Sequence, residues 1–308
     1  MLDFSVIIPV YNSQNSIERL VLSLETELEG HNFEIILVND GSKDKSVEIC
    51  KKLTKIKKNI RFINLRKNFG EFNAVMCGLG FVQGKYGVII DDDFQNPPSE
   101  ILKLYKKAEE DKLDVVYSYY ESKKHHWFRN FGSRTINYLT TYLLKKPKDL
   151  YLSSFKLIHR EVIAEIIKSR SPHPYIDGLI FQITNNVGKQ KVEHHARNEG
   201  ESSYSAKKLI ALSLSIIFGY SLLPLRLTFL AGFLSIVFAL IYMLLYALNI
   251  IPEWGSPIVI FMCGVILCSV ALVGEYTGNT FLLLSGKPQY VIESIHETDT
   301  THPDSELS

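Results

Sequence analysis

The sequence predicts an α/β domain with a mostly parallel sheet, followed by an interfacial helix and two transmembrane helices. Short apolar strands alternate with amphipathic helical patterns through the first 120 residues, an order typical of βαβ units. Two long stretches without a charged residue occupy the last third of the chain. Three successive carboxylates directly follow one of the strands.

The α/β part is predicted to contain five strands, each a short run rich in Val, Ile and other buried residue types. The strands are FSVIIPV, FEIILVND, IRFINL, YGVIID and DVVYSY, and the helices between them are SIERLVLSLETEL, KSVEICKKL, EFNAVMCGLGFV and SEILKLYKKAEE. Residues 121–205 are less regular and richer in Arg, His, Ser and Tyr. We place the α/β domain at residues 1–205.

Two charge-free stretches predict membrane spans. Residues 227–252 are 26 uncharged positions and residues 254–274 are another 21, and about 20 apolar residues suffice to cross a bilayer. We assign residues 227–280 to a transmembrane helical hairpin and residues 281–308 to a C-terminal tail. The alternative is a pair of helices buried in a protein core.

The charges around the spans predict their orientation. Basic residues precede the first span and follow the second, whereas the connection between the spans carries only Glu253. The basic residues are Lys207, Lys208, Arg226 and Lys287. The positive-inside rule therefore places the α/β domain and the tail in the cytoplasm.

Residues 206–226 are predicted to form an amphipathic helix on the cytoplasmic leaflet. Their 17 uncharged positions, 209–225, have basic residues at both ends. A third span would put those basic residues on opposite sides of the membrane, which the positive-inside rule disfavours.

The overall composition excludes some classes of function. The 308 residues carry a net charge of +1, which argues against general nucleic-acid binding because that requires a strongly basic face. The four cysteines have neither the spacing of a metal site nor that of a secreted disulfide framework.

The acidic run Asp91, Asp92 and Asp93 predicts a metal site. Adjacent carboxylates repel one another unless a cation lies among them. In an extended chain Asp91 and Asp93 would point to the same side, where they could hold Mg²⁺ or Mn²⁺ together with the phosphates of a nucleotide. The alternative is that these residues only form a turn and cap the next helix.

Other polar residues should join this site, because ligands of parallel α/β sheets bind where several strands end at one edge. The segments PVYNS, VNDGSKDKS and DDDFQNPP each follow a predicted strand. We therefore expect these three segments to converge.

Together with GESSYS and the two spans, these motifs resemble family 2 glycosyltransferases of the polyprenyl-phosphate glycosyltransferase type, relatives of dolichol-phosphate mannose synthase. The similarity covers roughly residues 3–292. It implies a GT-A-like, Rossmann-like domain that binds a nucleotide-sugar donor, a polyprenyl phosphate acceptor and Mg²⁺ or Mn²⁺.

The resemblance also implies roles for individual residues. The nucleotide-sugar would be held by Pro9, Tyr11, Asp40, Gly41, Ser42, Asn68, Gly70, Asp91 and Asp92. The metal would be bound by Asp91, Asp93 and Gln95. Arg197, with Asp93, would stabilise the diphosphate leaving group, and Arg129 and Arg134 would hold the lipid phosphate.

Three serines depart from the family pattern. Ser13 and Ser203 replace a common glutamate and a common lysine, and Ser154 in YLSSFKL stands where relatives commonly have an acidic base candidate. A phosphate acceptor needs no base, because its second pKa near ~6 leaves it largely dianionic at neutral pH. Asp177 and Asp92 remain as base candidates for a hydroxyl acceptor.

The function expected is transfer of a sugar, with inversion, from a nucleotide-sugar to a polyprenyl phosphate of the undecaprenyl type at a bacterial inner membrane, supplying lipid-linked sugar for cell-surface glycans or lipid modification. One alternative acceptor is a hydroxyl of a lipid-linked saccharide in surface-polysaccharide assembly. Another alternative is an assembly subunit with a degenerate pocket. Small residues in the spans would also permit a homo-oligomer; they are Gly232, Gly264 and Ser269.

Overall fold

The structure is a computed structural model, and it describes residues 2–120, 141, 146–147, 149–171, 174–193, 222–248, 250, 256–286 and 288–297. The chain forms two compact units. The first comprises Met1–Ser202 and Pro288–Ser308, and the second Ser203–Lys287.

The described residues of the first unit form an α/β fold around one eight-stranded sheet. The strands are β1 (Phe4–Val10), β2 (Phe33–Asn39), β3 (Ile60–Leu65), β4 (Tyr86–Ile89), β5 (Val115–Tyr119), β6 (Lys156–His159), β7 (Val187–Lys191) and β8 (Ile292–His296). The helices are α1 (Ile17–Glu27), α2 (Ser46–Ile56), α3 (Glu71–Leu79), α4 (Glu100–Asp111), α5 (Arg160–Ile166) and α6 (Ile176–Ile183). The five strands and four helices predicted up to residue 119 are confirmed.

The strand order β7-β5-β6-β4-β1-β2-β3-β8 confirms the mostly parallel sheet. Strands β4, β1, β2 and β3 are parallel neighbours, β7 is parallel to β5, and β6 and β8 run antiparallel to their neighbours. The chain proceeds from β1 outward to β3 and then returns to the other side of β1 as β4. Such a reversal leaves a crevice at the carboxyl ends of the two strands.

Alternate residues of each central strand pack into cores on opposite faces of the sheet. In β1, Phe4, Val6, Ile8 and Val10 face the layer that contains α1, α2 and α4, whereas Ile7 faces the layer with α3, α5 and α6. Burial on both faces explains why the strands are nearly uninterrupted apolar runs.

The structure contains three strands that the sequence analysis did not identify. Strands β6 and β7 lie in the irregular part of residues 121–205, and β8 lies in residues 281–308, which were assigned to a tail. Strand β8 pairs with β3, so the chain rejoins the sheet of the first unit after the second unit.

The second unit contains two long apolar helices, α7 (Leu223–Ala247) and α8 (Ser256–Leu284). Within them, Pro224–Ala247 and Phe261–Leu284 are long and apolar enough to cross a membrane, and neither is buried in the protein. Large apolar side chains such as Phe229 and Leu284 are about four-fifths exposed. These helices indicate membrane anchoring. Most of the predicted interfacial helix, residues 206–221, lies outside the described residues. Its last four residues, 223–226, belong to α7.

The close packing of α3 on β1 gives a test of the fold. A methyl group on Gly78 would overlap the Ile7 Cγ2 atom and come within 3.2 Å of Val38 Cγ2. Gly78→Ala should therefore lower the free energy of unfolding by about 1–2 kcal/mol. Gly278→Ala is the matched control, because its added methyl meets no atom within 4 Å. Equal thermal unfolding of both variants would contradict the packing.

Candidate active site

The acidic run lies at the carboxyl end of β4, beside the end of β1. Strand β4 ends at Ile89, and the chain turns at Asp92 and Asp93, with Phe94 at a φ of 61°. The chain is therefore not extended here, as it would have to be for alternation along a strand to point Asp91 and Asp93 to the same side. Each of the three carboxylates has a partner of its own.

Asp92 joins this turn to the end of β1. Its Oδ2 atom accepts a hydrogen bond from the backbone N–H of Tyr11 at 3.3 Å and a short one from the Ser13 hydroxyl. Burial raises the pKa of Asp92 to about 6, against the effect of these two hydrogen bonds, and neighbouring Asp91 and Asp93 raise it further. Ser13, which departs from the family pattern, thus has a defined partner.

Asp91 and Asp93 complete the acidic cluster. Asp91 Oδ2 accepts from the Ser154 hydroxyl at 2.7 Å, and Asp93 Oδ1 accepts from the backbone N–H of Gln95 at 3.1 Å. Ser154 therefore occupies the edge of the acidic site, where the sequence analysis expected an acidic residue in relatives.

Asp40 is buried and holds the loop at residues 68–70. Its Oδ1 accepts from the backbone N–H of Phe69 at 2.6 Å and its Oδ2 from that of Gly70 at 2.9 Å. Burial raises the pKa of Asp40, and these two N–H groups partly offset the shift. Only 3% of the residue is exposed, so the structure shows a loop-holding role for Asp40 that the sequence analysis did not anticipate.

Gly41 and Asn68 are in close contact at the same place. Gly41 has a φ of 68°, and a Cβ atom there would lie 2.5 Å from the backbone nitrogen of Asn68. Only glycine fits a position that requires both a positive φ and the absence of a Cβ atom. The two predicted nucleotide-binding loops are thereby held together.

The ends of β1 and β2 are also linked. Ser42 Oγ accepts from the backbone N–H of Asn12 at 2.9 Å, and Asn12 Oδ1 accepts from that of Lys43 at 2.8 Å. Pro9 pairs with Val38 within the sheet, and Tyr11 is 48% exposed at its edge. The predicted convergence of the three strand ends is thus present.

Glu71 is a titratable residue of the site that the sequence analysis missed. It begins α3 directly after the NFG motif. Its position next to that motif was the sequence feature that could have identified it as a site residue. Although the residue reaches solvent, burial of its carboxyl group together with Asp91 and Asp92 raises the pKa to about 7, and Lys156 opposes the shift. A proton or a cation is therefore favoured beside the acidic cluster.

Asp177, a predicted base, is engaged elsewhere. The residue is 6% exposed in α6. Its Oδ1 atom forms a short ion pair with Lys156 and accepts from the Tyr117 hydroxyl at 2.9 Å. The Lys156 ammonium also lies 5.1 Å from the centre of the Tyr117 ring. A carboxylate in this buried pair is poorly placed to take a proton from a substrate.

Three predicted arginines, Arg129, Arg134 and Arg197, lie outside the described residues.

The oxygen donors at the end of β4 suit a hard divalent cation. Mg²⁺ usually takes one or two protein carboxylates and completes its shell with phosphate and water. In the described part of the chain, no group of three or more His, Cys, Asp or Glu side chains is arranged to hold a metal. Burial is the main cause of the raised pKa values of Asp92 and Glu71, and the neighbouring carboxylates raise them further. A cation would offset the repulsion among these carboxylates.

The fold and this acidic edge define a nucleotide-diphospho-sugar transferase class of protein, and comparisons with known proteins agree. The profile of "Glycosyl transferase family 2" matches residues 5–167, more than half of the chain. The chain belongs to glycosyltransferase family 2 and is a glycosyltransferase.

Two relatives are similar over almost the whole chain. "Uncharacterized glycosyltransferase YkcC" of Bacillus subtilis is 30% identical, over 95% of this chain and 94% of its own length. "Undecaprenyl-phosphate 4-deoxy-4-formamido-L-arabinose transferase" of an Enterobacter strain is 32% identical, over 94% and 93%.

A solved structure shares the fold. Glucosyl-3-phosphoglycerate synthase from Mycobacterium tuberculosis, crystallised with Mn²⁺, uridine diphosphate and phosphoglyceric acid, aligns with a TM-score of 0.54 and 18% identity. The alignment covers 70% of this chain and 76% of that one.

The Glu71 shift predicts a pH dependence of stability in metal-free protein. An acid whose pKa rises on folding binds more protons in the folded state, so stability falls as pH rises from its ordinary 4.5 to about 7. Glu71→Gln should therefore be more stable than wild type at pH 8. The gain should be only about 1 kcal/mol, because solvent partly screens the carboxylate. At pH 4 the two proteins should be equally stable. Thermal unfolding in EDTA measures this difference. Glu48→Gln, an exposed change on α2, is the control, and the same pH profile in both variants would refute the assignment.

Proposed function

We propose that the protein is a membrane-anchored, inverting glycosyltransferase that moves a sugar from a nucleotide-sugar to a polyprenyl phosphate with the help of Mg²⁺ or Mn²⁺. The observation that carries the proposal is the meeting of Asp91, Asp92 and Asp93 with the ends of β1 and β2 where the strand order reverses.

The donor would occupy this crevice. Exposed Tyr11 and Asn68 and the backbone around Gly41 and Ser42 would contact the base and ribose, while buried Asp40 would hold the 68–70 loop in place. Pro9 and Gly70 would shape the two loops. The structurally similar synthase, which binds uridine diphosphate and Mn²⁺, supports a nucleotide in this fold.

Asp91 and Asp93 would hold the metal beside the diphosphate, with Gln95 and Asp92 next to them. When bound, the cation would neutralise the charge that develops on the departing nucleoside diphosphate. Arg197 is expected to add a second positive charge there.

The acceptor proposed is a polyprenyl phosphate, as in the name of the Enterobacter relative. One phosphate oxygen would form a bond to the anomeric carbon while the bond from that carbon to the nucleoside diphosphate breaks and its electron pair leaves with the diphosphate. No proton needs to be removed, because the attacking phosphate is already largely dianionic at neutral pH. Arg129 and Arg134 would bind the acceptor phosphate.

The surroundings of the base candidates favour this acceptor over a hydroxyl group. Ser154 hydrogen-bonds Asp91 and is no base, and Asp177 is buried in a pair with Lys156. Asp92 is held by Ser13 and Tyr11. We therefore assign Asp177 a role in positioning Lys156 near the acidic cluster.

Strand β8 supports a two-span arrangement with the active site on one side. A sheet cannot be divided by a membrane, so the pairing of β8 with β3 requires an even number of crossings between residues 202 and 288. Helices α7 and α8 supply two. With the positive-inside rule, we place the domain at residues 1–205 and the C-terminal residues in the cytoplasm, and the hairpin in the inner membrane. The interfacial segment is placed at 206–222, because residues 223–226 belong to α7.

Replacing a predicted metal ligand should abolish transfer. Membranes containing the protein would be incubated with Mg²⁺ or Mn²⁺, a short polyprenyl phosphate and a panel of nucleotide-sugars, and lipid-linked sugar would be measured. Asp93→Ala should lower the rate by at least about 100-fold, because several kcal/mol of charge stabilisation are lost. Asp111→Ala, on the exposed end of α4, should retain activity. Product formed only with a lipid-linked saccharide would favour the hydroxyl acceptor instead.

The topology can be tested by cysteine labelling in a cysteine-free background. Lys168→Cys and Glu297→Cys replace exposed residues of the first unit, and Ile250→Cys replaces an exposed residue between the two spans. An impermeant maleimide should label only position 250 in intact spheroplasts and all three positions after lysis. Opposite labelling of positions 168 and 297 in spheroplasts would contradict the shared sheet.

A further inference from the structure

We propose that Glu293 is a positioning residue for the nucleotide-sugar site, acting from the strand that follows the membrane unit. The inference rests on the proposed function, since that function assigns Gly41 and Ser42 to the donor. Glu293 touches no substrate, and its effect would pass through two buried asparagine side chains.

The first observation is an irregularity in β8. Asn64 of β3 pairs with Ser294, whereas the next residue, Leu65, pairs with Ile292. Glu293 is therefore an extra residue in the ladder, a β-bulge. Bulges redirect a side chain that would otherwise follow the regular alternation, and here Glu293 Oε2 accepts a hydrogen bond from Asn64 Nδ2 at 2.6 Å.

The second observation is that this bond continues to the donor loop. Asn64 Oδ1 accepts from Asn39 Nδ2 at 2.7 Å, and Asn39 Oδ1 accepts from the backbone N–H of Ser42 at 3.3 Å. Asn39 is 1% exposed and Asn64 is 9% exposed. Both amides are thus largely shielded from water, and we call the series Glu293, Asn64, Asn39 and Ser42 the amide relay.

The relay has a direction that its two ends set together, because the Glu293 carboxylate accepts at one end and the Ser42 backbone N–H can only donate at the other. An ionised carboxylate can accept but cannot donate a hydrogen bond, whereas an asparagine amide does both and can be turned over. Glu293 therefore requires the Asn64 amide nitrogen to face β8, which leaves its oxygen for Asn39. Asn39 must then present its own oxygen to Ser42. Without the carboxylate, only the Ser42 N–H at the other end still favours this orientation of the two amides.

The end of the relay is the loop between β2 and α2, which is hydrogen-bonded to the loop after β1. Besides its N–H bond to Asn39, Ser42 accepts a hydrogen bond from Asn12 through its hydroxyl. A turned Asn39 amide would place its NH₂ group against the Ser42 N–H, and buried donors without acceptors are costly. The relay would hold Ser42 in the position that the donor requires.

The test changes Glu293 without changing its size. Glu293→Gln lets the side chain donate or accept, so the direction of the relay is then set from the Ser42 end alone. Binding of UDP, GDP, ADP and CDP, each with Mg²⁺, would be measured by calorimetry on the full-length protein in detergent. We expect the Kd of the nucleotide that binds to rise about three- to tenfold, the effect of one hydrogen bond, and the Ser42 amide to exchange hydrogen faster.

Two variants separate the relay from general effects on β8. Glu297→Gln makes the same charge change beside the same strand. Glu297 pairs at 2.6 Å with Arg61, which is not a member of the relay, so nucleotide affinity should stay unchanged. In the double variant Asn64→Asp with Glu293→Gln, the glutamine donates to the new carboxylate, which also accepts from Asn39. The direction is then set from the β8 end as well, and affinity should recover.

Each outcome decides the matter. Unchanged affinity in Glu293→Gln, an equal loss in Glu297→Gln, or no recovery in the double variant would overturn the proposal. If wild-type protein binds none of the four nucleotides, the proposed function fails before any variant is compared. Faster exchange at Ser42 without such binding would leave the relay as a purely structural feature and overturn its role in positioning the donor.

Discussion

The carboxylate of Asp92 joins the carboxyl ends of β1 and β4, the neighbouring strands at which the strand order of the sheet reverses. Its bonds to Tyr11 and Ser13 hold the turn after β4 against β1, and burial raises its pKa. Asp91 and Asp93, its neighbours in the chain, are thereby kept at the same crevice. The concentration of negative charge that results makes the site suitable for a cation and a diphosphate, and the rest of the proposed chemistry depends on it.

The loops around this crevice are held by side chains that bond to backbone N–H groups of other loops. Asp40 holds residues 69 and 70, and Asn12 and Ser42 connect the ends of β1 and β2. Such bonds arrange a binding site before the ligand arrives, which lowers the ordering cost of binding. A buried carboxylate such as Asp40 therefore contributes to the site without needing to face the ligand.

Strand β8 connects the membrane anchor with the catalytic sheet through the chain itself. Strand β8 pairs with β3 and lies at the edge of the sheet, in the order β1-β2-β3-β8. The segment that follows α8 is therefore part of the domain that carries the site. Its bulge at Glu293 aims one carboxylate along the amide relay. The run YVIESIH at residues 290–296 is a short apolar pattern that fits a strand, but its pairing with β3 depends on the tertiary structure.

The sequence by itself determined the local helices and strands and the edge of the sheet at which the strand ends meet. Apolar runs and helical periodicity predicted β1 to β5 and α1 to α4, the parallel order predicted that the strand ends would meet, and charge-free stretches predicted two apolar helices. The tertiary structure decided which groups touch. Asp91 with Ser154, Asp177 with Lys156, and Glu293 with Asn64 are separated by 63, 21 and 229 positions. Contacts between such distant residues depend on how the elements pack, and periodicity along the chain carries no record of them.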